Sequence, residues 1–192
     1  AGCGTFANAL VNSDASPTLC SVADNANIEE IAKILGIELK ANTKMVAVVC
    51  CKGGKNAKIK YDYVGAEDCY AAARLSDGYL ECKYGCLGLG TCKKACAFGA
   101  ISIEDGFAVI DSKKCTGCMK CLTACPRNII IKVPYTADVT VACSSKEKGA
   151  VLRNICNIGC IGCNICVKTC QYGAISVTNN LAVIDHEKCQ DC

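Results

Sequence analysis

The sequence predicts an α+β fold built from a small unit used twice: a run of cysteines, a β-hairpin and a second run of cysteines. Three observations predict it. Cysteine supplies 21 of the 192 residues, about 11%, a level at which sulfur chemistry staples a chain that an apolar core alone does not hold. Residues Cys115–Pro126 read CTGCMKCLTACP, four cysteines in short steps closed by a proline. Finally, Cys82–Cys118 moved forward by 74 residues falls on Cys156–Cys192 without a gap, and 18 of the 37 aligned positions are identical. Self-similarity at a fixed offset is the mark of a repeated structural unit.

The elements follow in chain order. Phe6–Val11 reads as a short helix. Asn27 and Glu30 have capping-box spacing and open an amphipathic helix over Ile28–Leu35, which Gly36 closes. Met45–Cys50 and Val139–Cys143 read as buried strands; the two stretches VAVVCCK and VTVACSSK resemble each other, and each precedes one copy of the repeat. GAISIEDGFAVID (Gly99–Asp111) and GAISVTNNLAVID (Gly173–Asp185) each read as two short strands around a turn. Asp105-Gly106 is a strong hairpin signal and Asn179-Asn180 a weaker one. Short helical turns are expected after the cysteine runs, at Lys93–Ala97 and Met119–Ala124.

Composition excludes several functions. Aromatic residues are 5% of the chain and tryptophan is absent, so a large ring-filled core is unavailable. A formal charge of +3 with 20% charged residues is too weak and too mixed to argue for nucleic acid. The longest apolar run, Met45–Cys51, is far below the ~18 residues of a membrane span, and Ala1–Val11 lacks the basic-then-apolar pattern of a secretory leader. A single histidine leaves little room for haem, Rieske or catalytic zinc chemistry.

Three chemistries compete for the thiols. Disulfide scaffolds scatter their cysteines, whereas neighbours three residues apart share one turn and do not bridge each other. Cys115-x2-Cys118 alone would suit zinc, but zinc does not require Cys121, Cys125 and Pro126. The complete run C-x2-C-x2-C-x3-C-P is the bacterial ferredoxin pattern, in which three thiolates wrap one [4Fe–4S] cube and the fourth ligates a neighbour. The fold class is therefore two tandem two-cluster ferredoxin-like modules, 82–133 and 156–192. A segment with strand and helix (46–81) is read as a linker before the first, and 134–155 connects the two.

The cross-over rule assigns one cube to Cys82, Cys86, Cys92 and Cys125, and the other to Cys115, Cys118, Cys121 and Cys96. The first run has unusual x3 and x5 steps, and Gly85, Gly88 and Gly90 give its enlarged loop freedom. In the second copy, Cys160, Cys163 and Cys166 are assigned to one cube and Cys170, Cys189 and Cys192 to another, each completed by residues outside the chain; this module is thus incomplete, and the chain reads as truncated. Two cubes are complete, and up to three more would be finished from elsewhere. Cys50, Cys51, Cys69 and Cys143 show no pattern and read as small buried hydrophobes; Cys156 stays open between ligand and spare thiol.

An oxidised cube with four thiolates carries about −2, so two cubes take the formal +3 to about −1. Lys83, Lys93, Lys94, Lys113, Lys114, Lys120 and Arg127, with a second group at Lys52, Lys55, Lys58 and Lys60, offer an attractive patch for a small acidic redox carrier. No phosphate loop or dinucleotide fingerprint is present, and no nucleophile–base pair is apparent. The reading is an electron wire with no bond-making site of its own. A component of a soluble iron–sulfur/flavin oxidoreductase is the alternative.

The ordered set AGCGTFANALVNS…LC, YDYVGAEDC, CKYGCLGLGTCKKAC and ACSSKEKG resembles the B subunit of the Rnf ion-translocating electron-transport complex over nearly the whole chain. The resemblance implies a small α-rich iron–sulfur module at 1–45, in which Cys3 and Cys20 are the last two ligands of an N-terminal [4Fe–4S] cluster. Its first two ligands and a membrane-anchoring helix would lie upstream. It further implies a peripheral location on the cytoplasmic face of the cell membrane, electron exchange with soluble ferredoxin, and relay to the other subunits of a membrane-bound complex. That complex would couple ferredoxin:NAD oxidoreduction to sodium or proton transport.

Overall fold

A computed structural model describes residues 2–12, 15–17, 20, 23, 25–36 and 44–192. Near the N-terminus, α1 (Cys3–Val11) starts three residues earlier than expected and buries Leu10. Helix α2 (Asn25–Leu35) also starts early, because the helix-forming Ala26 lets the ladder begin before the predicted cap. Asn27 consequently lies in the first turn rather than at the cap. The face bearing Ile28 and Ala32 is buried, and Gly36 ends the helix with φ +64°, a left-handed conformation that favours glycine.

Strand β1 (Met45–Val49) pairs antiparallel with β4 (Ile130–Pro134), in a register running from Met45 opposite Pro134 to Val49 opposite Ile130. Val46, Ala47, Val49, Ile130 and Val133 are buried. This pairing draws the start of the 46–81 segment onto the first unit as its outer strand, so that part does not act as a linker. Between β1 and β4 come α3 (Cys69–Arg74), α4 (Thr91–Ala95), the hairpin of β2 (Ile101–Glu104) and β3 (Phe107–Ile110), and α5 (Lys120–Thr123). The core of this unit mixes aliphatic side chains with the sulfurs of Cys51, Cys86, Cys92, Cys115 and Cys121. A second cluster gathers Ala57, Cys69, Ala72, Leu80 and Leu87, edged by Tyr63 stacked on Tyr79 at 5.7 Å.

After α6 (Gly149–Ile155), the 74-residue repeat is a repeat of geometry too. Helix α7 (Ile165–Thr169) follows a left-handed Asn164 as α4 follows a left-handed Gly90. Strands β5 (Ile175–Thr178) and β6 (Leu181–Ile184) pair Ile175 with Ile184 as β2 and β3 pair Ile101 with Ile110. Both hairpin turns have two consecutive positive φ angles, at Asp105-Gly106 and Asn179-Asn180, the geometry that matches strand twist. Asp111 N–H donates to Ala100 O and Asp185 N–H to Ala174 O, both at 2.8 Å.

Two expectations shift. The helical turns sit at 91–95 and 120–123, and α4 begins earlier than expected because the left-handed Gly90 starts it. Val139–Cys143 is not a strand: a strand needs a partner ladder, and among the described residues none pairs with it. No helix of the described residues is long and apolar enough to cross a membrane.

Glycine 88 tests the packing of the repeat. Its φ is +64°, and a Cβ there would stand 2.5 Å from Gly106 O; Gly99 has φ +61° but open space around it. Gly99→Ala should cost about 1 kcal/mol, the ordinary left-handed penalty, and Gly88→Ala about 3 kcal/mol, measured as urea-unfolding midpoints under identical anaerobic conditions.

Candidate iron–sulfur sites

All 21 cysteines are free thiols. Cys96, Cys115, Cys118 and Cys121 line one cavity, with Ala100, Ile101 and Ile110 of the hairpin behind them. This is the set expected from the sequence. A second cavity is lined by Cys69, Cys86, Cys92 and Cys125 against Val49, Ile129 and Ile130. Here Cys69 takes the place expected for Cys82. The physical reason lies in a local hydrogen-bond network. Thr91 Oγ1 accepts Cys69 N–H at 2.7 Å and donates to Asp68 Oδ2 at 3.1 Å, while Asp68 Oδ1 caps α3 by accepting Ala71 N–H at 2.9 Å. Tyr70 Oη donates to Thr123 O at 2.9 Å, tying α3 to α5. Cys69 is thereby held beside Cys92, one residue beyond Thr91 on α4.

Cys82 instead lines a third cavity, with Cys51, Cys143 and Cys156. Three of these four had no pattern in the sequence or were left open, and Cys69 was likewise read as a buried hydrophobe. A signal was present. Leu89 stands where the second copy has Cys163, so the first copy needs a donor from elsewhere; Cys69 lies 74 residues before Cys143, just upstream of the aligned window.

The electrostatics of Cys92 and Cys121 follow the same grouping. Burial pushes the Cys92 thiol up to about 12, and the neighbouring Cys86, Cys69 and Cys125 push it further in the same direction. Burial raises Cys121 to about 11, helped by Cys115, Cys118 and Cys96. Cys86 is raised to about 11, again chiefly by burial, with opposing hydrogen bonds from the Ala108 and Gly88 amides. Four thiolates around one apolar cavity repel each other, and a bound cation relieves that repulsion.

The donor set fits an iron–sulfur cluster: four thiols per cavity, apolar walls, and amide N–H groups directed at sulfur. Two polar groups add to the fit. Among the described residues the buried Thr116 Oγ1 and Arg127 Nε have no hydrogen-bond partner, and their residues line the first and second cavity respectively. Both can donate to an anionic group. Among the described residues no three Cys, His, Asp or Glu side chains are grouped to hold a single metal ion. The thiols surround a space instead.

In the second copy, Cys166 lies on α7 and Cys170 at its C-cap, where Ala174 N–H donates to Cys170 Sγ at 3.4 Å and holds that thiol below its ordinary value. Cys160 and Cys189 are half-buried, and Cys163 and Cys192 exposed. Cys3 is exposed on α1 and Cys20 half-buried. Several of the basic residues have local partners. Lys55 pairs with Asp105, Lys83 with Glu147 and Lys114 with Asp111; Lys94 donates to Glu67 O, and Arg127 donates to Lys83 O and Asp77 O.

Comparison with known proteins agrees with this chemistry. Residues 107–130 match a 4Fe-4S binding domain family. Over its full length the chain is 43% identical to the B subunit of the ion-translocating oxidoreductase complex of Methanosarcina acetivorans, covering 74% of that protein. It is 42% identical to the B subunit of the Na(+)-translocating ferredoxin:NAD(+) oxidoreductase complex of Acetobacterium woodii, covering 58%. It is also 42% identical to the B subunit of the proton-translocating ferredoxin:NAD(+) oxidoreductase complex of Clostridium ljungdahlii, covering 69%. The chain thus spans between about three-fifths and three-quarters of the length of these relatives.

The Thr91 network can be tested separately. Thr91→Val leaves the buried Cys69 amide and the Asp68 carboxylate without their shared hydroxyl, a loss of about 1–3 kcal/mol. It should lower the thermal midpoint and speed iron release to a chelator several-fold, while Thr91→Ser stays near the parent.

Proposed function

The chain belongs to the family of B subunits of ion-translocating oxidoreductase complexes, and from that premise we propose that it relays electrons between [4Fe–4S] clusters within a membrane-bound redox complex. The supporting observation is the pair of four-thiol cavities built around the same two short helices, α4 and α5. One cluster is held by Cys96, Cys115, Cys118 and Cys121, the other by Cys69, Cys86, Cys92 and Cys125. When bound, each supplies reversible one-electron exchange.

The chain's own residues ligate, exclude water and tune. The β-hairpin and the β1–β4 pair wall the cavities with aliphatic groups, and amides of Gly88 and Ala108 donate to the Cys86 sulfur, which stabilises negative charge there. The tandem two-cluster arrangement extends the file through the second copy, with Cys160, Cys163 and Cys166 for one further cluster and Cys170, Cys189 and Cys192 for another. Cys3 and Cys20 serve an N-terminal cluster. Soluble ferredoxin exchanges electrons at one end, the other members of the complex at the opposite end, and the protein works peripherally at the cytoplasmic face of the cell membrane.

Anaerobically prepared protein should contain iron and acid-labile sulfide in equal amounts, with visible absorbance that dithionite bleaches; zinc without iron would overturn the proposal. Cys118→Ala with Cys121→Ala should remove about four irons per chain and leave the other cluster in place. Electron delivery from reduced ferredoxin should slow about fivefold or more between low and high salt, because exposed charges steer the encounter; stopped-flow bleaching measures this.

A further inference from the structure

The third cavity has no part in the two-cluster pattern, yet it is built like the other two. Cys51, Cys82, Cys143 and Cys156 line it, with Ala57 and Leu152 among its apolar walls. Its donors come from four separate stretches of chain, and specific contacts hold those stretches together. Ser144 Oγ donates to Cys50 O at 2.8 Å, Lys83 pairs with Glu147 at 3.0 Å, and Ala57 forms a β-bridge to Cys156. Around that bridge Lys58 N–H donates to Ile155 O at 2.9 Å and Asn157 N–H to Asn56 O at 3.1 Å.

Backbone amides face two of the sulfurs. Cys51 Sγ accepts the amides of Gly53 at 3.4 Å and Cys86 at 3.3 Å, and Cys143 Sγ accepts Ser145 N–H at 3.4 Å. Gly53 leaves its backbone bare against the cavity: a Cβ there would meet Cys51 Sγ at 3.5 Å and Cys156 Sγ at 3.8 Å.

The repeat supplies an independent reason. Cys82 and Cys156 are equivalent positions 74 residues apart, and so are Cys69 and Cys143. Cys69 is engaged in the second cavity because Leu89 leaves a donor missing there. The second copy has Cys163 at that position, so Cys143 is released for other use.

We propose that Cys51, Cys82, Cys143 and Cys156 hold a third [4Fe–4S] cluster, which joins the first unit to the second copy. This rests on the iron–sulfur reading of the first two cavities. The four thiols bind as thiolates, releasing their protons. Because the Cys86 amide donates directly to Cys51 Sγ, a ligand of the second cavity touches a ligand of the third through one hydrogen bond.

The test is iron and sulfide per full-length chain, prepared anaerobically. Cys143→Ala with Cys156→Ala should lose about four irons and four sulfides relative to the parent. Adding Cys82→Ala to that pair should remove no more, since all three serve one cluster. An unchanged count in the double variant, a further loss of about four on adding Cys82→Ala, or one zinc per chain in place of those irons would each overturn the inference. A parent without iron would instead overturn the underlying reading. To avoid dependence on variant folding, iodoacetamide labelling of the unaltered protein gives a second measure. Cys143 and Cys156, both half-buried, should be alkylated after chelator treatment and protected before it; equal labelling in both states contradicts a cluster at this site.

Discussion

Helices α4 and α5 are each bounded by cysteines four residues apart, and in both cases the two sulfurs line different cavities. Spacing of four on a continuous helix would put both on one face. The helices are too short for that. α4 stops at Ala95, and Cys96 is already extended at φ −86° and ψ 104°; α5 stops at Thr123, and Cys125 follows its C-cap. The packing of α4 on α5 therefore sets the position of both cavities at once. The hairpin and the β1–β4 pair close them from either side, so that aliphatic residues of these strands keep water from sulfur.

Ionising these thiols is costly until a cation binds them. Buried thiols surrounded by other thiols resist ionisation, as the values near 11 and 12 for Cys86, Cys121 and Cys92 show. Cys50 is raised to about 11 as well, by burial and by Cys143 and Cys51, although it lines none of the three cavities. A polymetallic centre offsets this by replacing repulsion among thiolates with bonds to metal, so that folding and cofactor binding share one free energy. The chain then has no need of tryptophan or a large aromatic core. The basic residues contribute locally: Lys83 and Arg127 fasten loops to one another through Glu147, Asp77 O and the Lys83 carbonyl.

Legibility followed the range of the interactions. Turns at Asp105-Gly106 and Asn179-Asn180 are fixed by four consecutive residues, and both hairpins were readable in place. Cys115, Cys118 and Cys121 with Cys96 were readable because one tight loop supplies three of them. What the pattern did not reveal depends on contacts between distant segments. Cys69 reaches its cavity through Thr91, 22 residues away, and no fixed spacing encodes that. The Val139–Cys143 stretch shares the composition of β1 but not its pairing, and pairing decides whether such a stretch is a strand. Cys82 was assigned by the cross-over rule, whereas the fold places it with Cys51, Cys143 and Cys156.

The donors of the three cavities mature at different moments in synthesis. Every cysteine of the first two is present once residue 125 has been made, and β4, completed at Pro134, then closes the sheet over them. The third waits for Cys156, and its closure joins residues from both ends of that stretch, a long loop whose ends are slow to meet. Biogenesis thus has an order written into the polypeptide. The first unit is able to mature while the ribosome is still working, and the junction to the second is sealed afterwards, so an interrupted translation product would retain the beginning of the relay and lack its continuation.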